Sequence, residues 1–330
     1  MTKITVLYDG KYWIEPLIKS AEWSGDVAKP HRTLTITLSN TINGKEQAVP
    51  FEVGKEIRFY SDNVGLFRGI IFEYSVSDKG DAMITAHDEN VYLTKNADSR
   101  KFTKMTAGAI VKEICKAFEI PVGTVANTGY VIPKFIFQGK TLWDMIVTAL
   151  TETRKQNNRK FSISSKGGLL YLRERKEVVV RWYLERGVNI LSANRSLSIE
   201  NMRTAFKVEA GEEKKRITAT AKDAATATKY GLMQHYETAD SDMKKSQLDQ
   251  LAGQRLKELS KVGEEITVEA IGNVEVVAGA AVYAFESMTK TAGGYYVTAD
   301  KHTFEDGAHR MDVTLSKTDD LPEINYEEAA

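Results

Sequence analysis

The segment 263–317 alternates apolar and polar residues in the way that half-buried β-strands do. Its regularly spaced apolar positions are Ile266, Val268, Ala270, Met311, Val313 and Leu315. The dipeptide Asp306-Gly307 lies between two such runs and is a strong signal for a two-residue hairpin turn. The pattern therefore predicts an antiparallel sheet in this part of the chain.

This turn also predicts the register of the hairpin. A regular hairpin places His302 opposite Met311, on the side of the sheet that packs. It places Lys301 opposite Asp312, on the side that faces solvent. One face is therefore expected to be buried, while the other carries ion pairs.

Residues 1–93 show several short runs of the same kind. The run 33–38 alternates threonine with large aliphatic residues, and Asp9-Gly10 and Asn43-Gly44 mark tight turns. Further alternating apolar positions are Ile4, Val6, Tyr8, Ile70, Phe72, Tyr74 and Val76. Short strands at this spacing are typical of a small barrel or sandwich.

Between about 94 and 160 the apolar period becomes helical. Thr106 is predicted to cap a helix that ends before Pro121, and Thr141 is predicted to cap a second helix. The apolar stripes are Ile110, Val111, Ile114, Cys115 and Phe118 in the first helix and Trp143, Ile146, Val147 and Leu150 in the second. A hairpin is expected at 161–172, with both helices packed against it.

Strands resume after residue 176 and are interrupted by a polar stretch at about 216–262 that is predicted to be helical. The predicted strands are Val178-Val179-Val180 and Phe206-Lys207-Val208. The helical signals are Ala219, Ala221, Ala224, Ala225 and Ala227, followed by the stripe Leu248, Leu251, Ala252, Leu256 and Leu259. The last eleven residues, 320–330, are acidic and are expected to fray, and residues 321–330 are assigned as an acidic tail.

An internal repeat links the two ends of the chain. Val53-Gly54 through Phe59 match Ala278-Gly279 through Ala284, and Gly80, before Met83 and Ile84, matches Gly307, before Met311 and Val313. The offset stays at about 225 to 228 residues, and a coherent offset indicates a duplication. The predicted fold is mainly β with α+β: two similar antiparallel β-barrel domains at 1–93 and 176–320, an intervening α+β module at 94–175, and the helical insertion.

The totals exclude several classes of protein. The 330 residues allow two or three domains, and 45 basic residues balance 45 acidic ones. Such a chain lacks the basic footprint expected of a specific nucleic-acid binder or an anionic-membrane binder. Cys115 is the single cysteine, so the chain has no intramolecular disulfide and no cysteine cluster for a metal. No signal peptide or long apolar run appears, which predicts synthesis in the cytoplasm and no stable membrane insertion.

No phosphate-binding, dinucleotide-binding, metalloprotease or serine-hydrolase motif appears in the sequence. His302 and His309 flank Glu305 and Asp306, so a metal site can be drawn around the predicted hairpin. Residues on either side of a turn need not converge, however, and packing or hydrogen bonding is the favoured interpretation. The sequence therefore predicts no catalytic, cofactor-binding or metal-binding residues.

Three other features have both a functional and a structural interpretation. His87-Asp88-Glu89 can supply acid and base groups, but such clusters more often end a strand and begin a loop. Trp23 can anchor a partner, although packing at a barrel end is favoured. Cys115 lies on an apolar helix stripe and is predicted to be inert core.

Many short segments together resemble a known family. They are Glu22-Trp23-Ser24-Gly25-Asp26, Arg32-Thr33-Leu34, Val53-Gly54, Leu66-Phe67-Arg68-Gly69-Ile70, Ala86-His87-Asp88, Tyr92-Leu93, Ile114-Cys115, Ile120-Pro121-Val122-Gly123, Thr141-Leu142-Trp143-Asp144, Tyr295-Tyr296-Val297, His302-Thr303-Phe304, Gly307-Ala308-His309 and Met311. In this order, and over nearly the whole length, the chain resembles the baseplate hub proteins of contractile phage tails, of the XkdQ/YqbQ type.

The resemblance implies a structural protein without catalytic residues or a cofactor. It implies a homotrimer with two barrels per chain, forming a pseudo-six-fold ring that joins the six-fold tail tube to the trimeric central spike. The implied partners are the spike, tail tube and distal tail tube proteins, other baseplate proteins and a tape-measure protein, within a virion tail or phage-tail-like particle. Two alternatives stay open: a β-rich cell-wall or polysaccharide hydrolase, and a carbohydrate-binding protein of a phage particle.

Overall fold

A computed structural model describes residues 2–175, 179–211, 216–239, 243–319 and 321–326 of the protein. The chain is mainly β, and its described residues group into two compact units, 1–194 with 267–330, and 195–266. Among the described residues, no helix is both long and apolar enough to cross a membrane.

The N-terminal strands form an antiparallel sheet that curls around its own core. They are β1 (Ile4–Tyr8), β2 (Tyr12–Trp13), β3 (Ile18–Asp26), β4 (Thr33–Ser39), β5 (Glu56–Ser61), β6 (Val64–Val76) and β7 (Asp81–His87). Their order in the sheet is β3-β4-β7-β6-β5-β1-β2. Leu34, Ile36 and Leu38 alternate with threonines on β4 and are fully buried, as the sequence predicts.

The middle of the chain contains both helices and strands. Its elements are α1 (Tyr92–Lys95), β8 (Ala97–Thr106), α2 (Ala107–Ala117), β9 (Val122–Val125), β10 (Val131–Thr141), α3 (Leu142–Asn157), β11 (Phe161–Lys166) and β12 (Leu169–Glu174). Both predicted caps are confirmed. The Ala109 N–H donates to Thr106 Oγ1 at 3.3 Å, and the Asp144 N–H donates to Thr141 Oγ1 at 3.0 Å.

The predicted hairpin is confirmed as β11 and β12, and its buried residues share one core with both helices. Sequence patterns missed the antiparallel pair β8 and β10, which belongs to the same module. On β8 the fully buried apolar side chain is Phe102, among lysines, serine and threonines. A strand that contributes so little to a core has no clear apolar alternation to detect.

The C-terminal half repeats the first sheet around an insertion. Its elements are β13 (Val179–Glu185), β14 (Ile190–Ser198), β15 (Ala205–Ala210), β16 (Ile217–Lys222), α4 (Ala224–Tyr230), β17 (Gln234–Thr238), α5 (Lys245–Leu259), β18 (Gly263–Ile271), β19 (Ala281–Glu286), β20 (Thr291–Glu305) and β21 (Ala308–Ser316). The predicted strand at 178–180 is present as β13 from Val179, and Val178 lies outside the described residues.

The insertion is a small α+β unit. The strands β16-β15-β17 form its sheet, and buried leucines of α5 share a core with β15 and β16. The helical signals are confirmed for α4 and α5, but a helix at Ala219 and Ala221 is wrong, because both lie on β16. Alanine is a strong helix former, and here the pairing of β16 with β15 overrides that preference.

The predicted hairpin register is confirmed. His302 lies opposite Met311 and Lys301 lies opposite Asp312 across β20 and β21. His302 and Met311 are fully buried, whereas Lys301 Nζ lies 3.4 Å from Asp312 Oδ2 on the exposed face. The two faces of this hairpin therefore have the different characters that the alternation predicts.

Matching hydrogen bonds support the duplication. In the first sheet the Gly54 N–H donates to Ile71 O at 2.7 Å, and in the second the Gly279 N–H donates to Val297 O at 2.8 Å. A bulge follows Ile71 in the pairing of β6 with β7, and a bulge follows Val297 in the pairing of β20 with β21. Residues 53–59 and 278–284, matched by sequence alone, thus occupy the same place in two similar sheets.

A second pair of hydrogen bonds aligns the preceding strands. The Asn40 N–H donates to Gly80 O at 2.7 Å, and the Gly272 N–H donates to His309 O at 2.8 Å. Gly80 therefore corresponds to His309, two residues beyond the Gly307 that the sequence match paired with it. The strand orders β3-β4-β7-β6-β5-β1 and β14-β18-β21-β20-β19-β13 then correspond one to one. They differ at the last position, since β1 runs antiparallel to β5 whereas β13 runs parallel to β19. In the described residues no strand pairing closes either sheet into a complete barrel.

Candidate functional site

The two sheets meet at a single strand pair. Residues 20–26 of β3 pair antiparallel with residues 299–305 of β20. The other half of β20, residues 291–296, pairs with β19. β19 and β3 therefore pair with successive parts of the same edge of β20. This pairing joins the two duplicated sheets into one continuous sheet. We call this pairing of β3 with 299–305 the seam.

Aromatic side chains pack across the seam. Trp23 on β3 lies opposite His302 on β20, with ring centroids 5.3 Å apart. Phe304 on β20 packs edge-on against Phe59 of the first sheet at 5.2 Å. All four side chains are buried, so the seam is a core contact and not a surface contact. Trp23 packs inside the chain, which fits the packing interpretation.

A buried ion pair crosses the seam. Arg32 lies in the turn between β3 and β4, and its guanidinium binds the Asp300 carboxylate in a bidentate way, with Nη1 to Oδ1 at 2.9 Å. The Ala278 N–H donates to the same Oδ1 at 2.6 Å. The Asp300 side chain is 0% exposed and that of Arg32 is 20% exposed. A carboxylate tolerates such burial only when it is paired and hydrogen-bonded, as it is here.

Packing around Arg32 explains why Trp23 and Gly25 lie two residues apart at the end of β3. The guanidinium carbon of Arg32 lies 3.8 Å from the centroid of the Trp23 ring, a cation–π contact. Gly25 lies opposite Asp300, and a Cβ at this position would collide with Arg32 Nη1. Any larger residue here would force Arg32 away from its position beside Asp300, because the guanidinium approaches the backbone closely.

His302 and His309 converge, which the sequence did not require. His302 Nδ1 lies 3.0 Å from His309 Nε2, and His302 Nε2 lies 3.1 Å from Val276 O. Since a carbonyl only accepts, His302 donates from Nε2, and its Nδ1 accepts from His309. Burial lowers the pKa of His302, and burial followed by the neighbouring His302 lowers the pKa of His309 to about 4. Both rings are neutral at pH 7.

Glu305 and Asp306 do not join the two histidines in a metal site. Across the described residues, no group of three or more His, Cys, Asp or Glu side chains could hold a metal ion. The Phe304 ring stacks on His309 with centroids 4.1 Å apart. The arrangement that the structure shows is hydrogen bonding and packing at the seam.

The cluster His87-Asp88-Glu89 ends β7 and begins a short 3-10 helix, Glu89–Val91. Asp88 accepts hydrogen bonds from the Asn90 N–H at 3.0 Å and from the Arg32 N–H at 2.9 Å. Burial raises the pKa of Asp88 to about 7. Asp88 thus holds the turn that carries Arg32, which is a structural role next to the seam.

Beside the seam lies a cavity of about 530 Å³. Its walls include Trp23 and Arg32 from the first sheet, Trp143 from α3, and Leu321 and Pro322 from the C-terminal segment. Glu174, another wall residue, is held by Arg159 through two hydrogen bonds of 2.8 Å. The cavity brings together the first sheet, the middle module and the chain end.

The C-terminal segment is packed, so the expectation that it frays is wrong for residues 321–326. The Tyr326 ring packs at a tilt against Phe135 of β10 with centroids 4.3 Å apart, and its hydroxyl accepts from the Ile136 N–H at 2.9 Å. Arg154 of α3 binds Glu323 at 2.6 Å. The sequence signal for this packing is Tyr326, an aromatic residue among acidic ones, which an interpretation based on charge alone overlooks. Residues 320 and 327–330 lie outside the described residues.

Cys115 lies where its helix stripe predicts. It is buried on α2, and burial raises the pKa of its thiol to about 11. The sequence analysis did not single out Arg32 and Asp300, although the sequence carries a weak signal for them. Asp300 alternates with His302 and Phe304 on the buried face of β20, and a carboxylate on such a face needs a cationic partner.

Comparisons with known proteins identify relatives in sequence and a similar fold. The chain is 31% identical to the phage-like element PBSX protein XkdQ of Bacillus subtilis, over 98% of this chain and 99% of that protein. It is 30% identical to YqbQ of the same organism, over 94% of this chain and 95% of that protein. Its fold is similar to that of the 43 kDa tail protein of prophage MuSo2 from Shewanella oneidensis, with a TM-score of 0.75, 12% identity, and coverage of 96% and 98% of the two chains.

A family model described as YQBQ-like matches residues 21–316. The matched range begins on β3 and ends on β21, so it contains all of the seam except Ser20 and most of both sheets. The family that the sequence segments suggested is confirmed: the chain belongs to the YQBQ-like family.

Proposed function

We propose that this protein is the structural hub of a phage-tail baseplate or of a phage-tail-like particle. Three chains form a ring that joins the six-fold tail tube to the trimeric central spike. The observation that carries the proposal is the seam, which fuses two similar sheets edge to edge within one chain. Membership of the YQBQ-like family and the fold shared with a prophage tail protein support it.

The mechanism is symmetry matching. Three chains with two similar sheets each present six similar faces, which suit a six-fold partner. The parts that occur once in each chain, namely residues 94–175 and the insertion, repeat only three times around such a ring. They suit the trimeric spike and the neighbouring baseplate proteins. One polypeptide thereby presents six-fold and three-fold features together.

A role without catalysis fits the roles of the carboxylates beside the seam. Asp300 is bound to Arg32, and Asp88 accepts two backbone hydrogen bonds. Glu174 is tied to Arg159. We expect no clearing in a zymogram against peptidoglycan, and a clear band would favour the hydrolase alternative.

Light scattering tests the hub role. The protein is measured alone and mixed with the spike protein encoded beside it, with an unrelated trimeric protein as the control. The expected result is a mass of three 36.9 kDa chains, alone or in complex with a spike trimer. A strict monomer in both samples, with no complex, would refute the proposal.

A further inference from the structure

The strand of the first sheet that corresponds to β20 is β6, and part of its edge is unpaired. Ile71 of β6 corresponds to Val297 of β20. Beyond Val297 the chain meets the seam, where the Val27 N–H donates to Thr298 O at 2.9 Å. Beyond Ile71, residues 72–76 pair with β7 on one side, and the described part of the chain places no strand on the other side.

The strand of the second sheet that corresponds to β3 is β14. β3 pairs with β4 on one edge and with β20 on the other. β14 is the last strand in its sheet order, next to β18. Apart from a bridge between Arg186 and Ile190, the described residues supply no strand to its outer edge. In the described residues, each sheet therefore has one unpaired strand edge that corresponds to one of the two strands of the seam.

Exposed apolar side chains lie on both unpaired strand edges. Phe72 and Val76 of β6 are 36% and 38% exposed, and Leu197 of β14 is 61% exposed. Unpaired edges that carry apolar residues are templates for pairing with another chain. These two edges match the geometry of a contact that the protein already makes inside each chain.

We propose that β14 of one chain pairs antiparallel with residues 72–76 of the next chain, so that the contact between chains repeats the seam. The occupant of each edge is a second copy of this protein, and the inference rests on the ring proposed above. Each chain contributes one β14 edge and one β6 edge. The contact is heterologous, and it closes when the third chain returns to the first. Seams within and between chains then alternate around the ring.

The register of this contact follows from matching side chains. Thr37 of β4 lies opposite Ser20 of β3, and Ser192 of β14 donates to Glu269 of β18 at 3.0 Å. Asn40 corresponds to Gly272, so Thr37, three residues earlier, corresponds to Glu269. Ser192 contacts Glu269 as Ser20 faces Thr37, so Ser20 corresponds to Ser192. Counting four residues along each strand, Ser24 corresponds to Ser196.

The opposite strand is aligned in the same way. Ser24 lies opposite Lys301 in the seam. Lys301 is four residues beyond Val297, as Ser75 is four residues beyond Ile71. The structure therefore assigns Ser75 of one chain as the partner of Ser196 of the next. Both side chains are exposed serines, which tolerate substitution.

The contact between chains differs from the seam in one respect. Asp300 and His302, which carry the buried polar network of the seam, correspond to Tyr74 and Val76 on β6. Because Tyr74 replaces the aspartate, this contact has no carboxylate to form an ion pair like that of Asp300 with Arg32. Since this contact lacks the bidentate ion pair, we expect it to open more readily than the seam.

Cysteine cross-linking tests the proposal. Ser75→Cys and Ser196→Cys are combined in one chain, and the protein is oxidised alone and in its complex with the spike. Paired strands place opposite Cα atoms about 4.5 to 5.5 Å apart, within the range that a disulfide spans. We expect covalent dimers and trimers on non-reducing gels, with peptide mapping that shows a bridge between positions 75 and 196.

Matched controls define the register. Ser24→Cys with Lys301→Cys tests the equivalent pair in the seam and should give a bridge within one chain. Ser75→Cys with Ser192→Cys is displaced by four residues, roughly 13 Å along the strand, and should give none. Each single-cysteine variant should also form no disulfide with Cys115, because Cys115 is buried and the pKa of its thiol is raised to about 11.

The outcomes separate this inference from the proposed function. A trimer by light scattering without a bridge between positions 75 and 196 would overturn the strand pairing and leave the hub role standing. Equal bridging with Ser192→Cys would also overturn it, because the register would be wrong. The absence of any trimer, alone or with the spike, would overturn the ring and the strand pairing together.

Discussion

Removing the charge of Asp300 should destabilise the sheet far more than removing the charge of a neighbouring exposed carboxylate. In Asp300→Asn the shape is kept, but one side-chain amide N–H must face the Arg32 guanidinium, donor against donor. The Arg32 charge then lacks its partner in a site where it is only 20% exposed. Breaking a buried ion pair from one side costs about 3 to 5 kcal/mol.

The lower end of that range applies here. Arg32 keeps some contact with water, which relieves part of the unpaired charge, so we expect a loss of about 3 kcal/mol in the free energy of unfolding. Asp312→Asn is the matched control on the same hairpin. Its partner Lys301 lies 3.4 Å away and both side chains are about half exposed, so the cost is at most about 1 kcal/mol.

Urea unfolding followed by tryptophan fluorescence measures the difference, because Trp23 lies directly beneath Arg32. Hydrogen exchange at the amides of β3 and β20 shows whether the seam opens first. The double variant Arg32→Met with Asp300→Leu should recover part of the loss, because it removes the unpaired charge. The recovery is incomplete because the Ala278 N–H loses its acceptor, Asp300 Oδ1. Equal stability of Asp300→Asn and Asp312→Asn would refute the account of the seam.

Three further predictions concern other parts of the structure. The pKa of His309 is lowered to about 4, first by burial and then by the neighbouring His302. Between about pH 6.5 and pH 4 the unfolded chain therefore binds a proton at His309 that the folded chain does not bind. The free energy of unfolding falls as the pH falls through this window. His309→Phe should flatten the fall of the urea midpoint between pH 7 and pH 5, and an unchanged slope contradicts this. Tyr326→Ala should cost about 1 to 3 kcal/mol and speed hydrogen exchange on β10, whereas Tyr326→Phe should cost about 1 kcal/mol; unaltered exchange in the alanine variant would mean that the segment is not docked. Gly25→Ala should displace Arg32 and lower the thermal midpoint, and a midpoint equal to wild type would show that the guanidinium approach is not tight.

Local features of the chain were predictable because their causes are local. The turn at Asp306-Gly307 and the alternation around it predict the register of one hairpin, since a hairpin brings together residues that are close in sequence. Thr106 and Thr141 predict two helix starts for the same reason. The repeat of 53–59 at 278–284 was visible because the two copies need the same turn before the same strand.

Features that depend on distant parts of the chain were not predictable in this way. Ala219 and Ala221 favour a helix by their own preference, and only the neighbouring strand β15 makes them part of a sheet. β8 carries little apolar periodicity, because its pairing with β10 and not its side chains holds it in place. Tyr326 docks because β10 offers an aromatic surface, which no pattern in the acidic tail reveals.

The sequence by itself determined that this is a mainly β protein with a duplicated sheet, and it pointed to the YQBQ-like family. Only the tertiary structure decided that the duplicated sheets join through β3 and β20 and that Arg32 meets Asp300 there. The physical reason is that backbone hydrogen bonds at a strand edge are the same for every residue, so the sequence does not encode which edges meet. That choice depends on how the rest of the chain brings the edges and their side chains together.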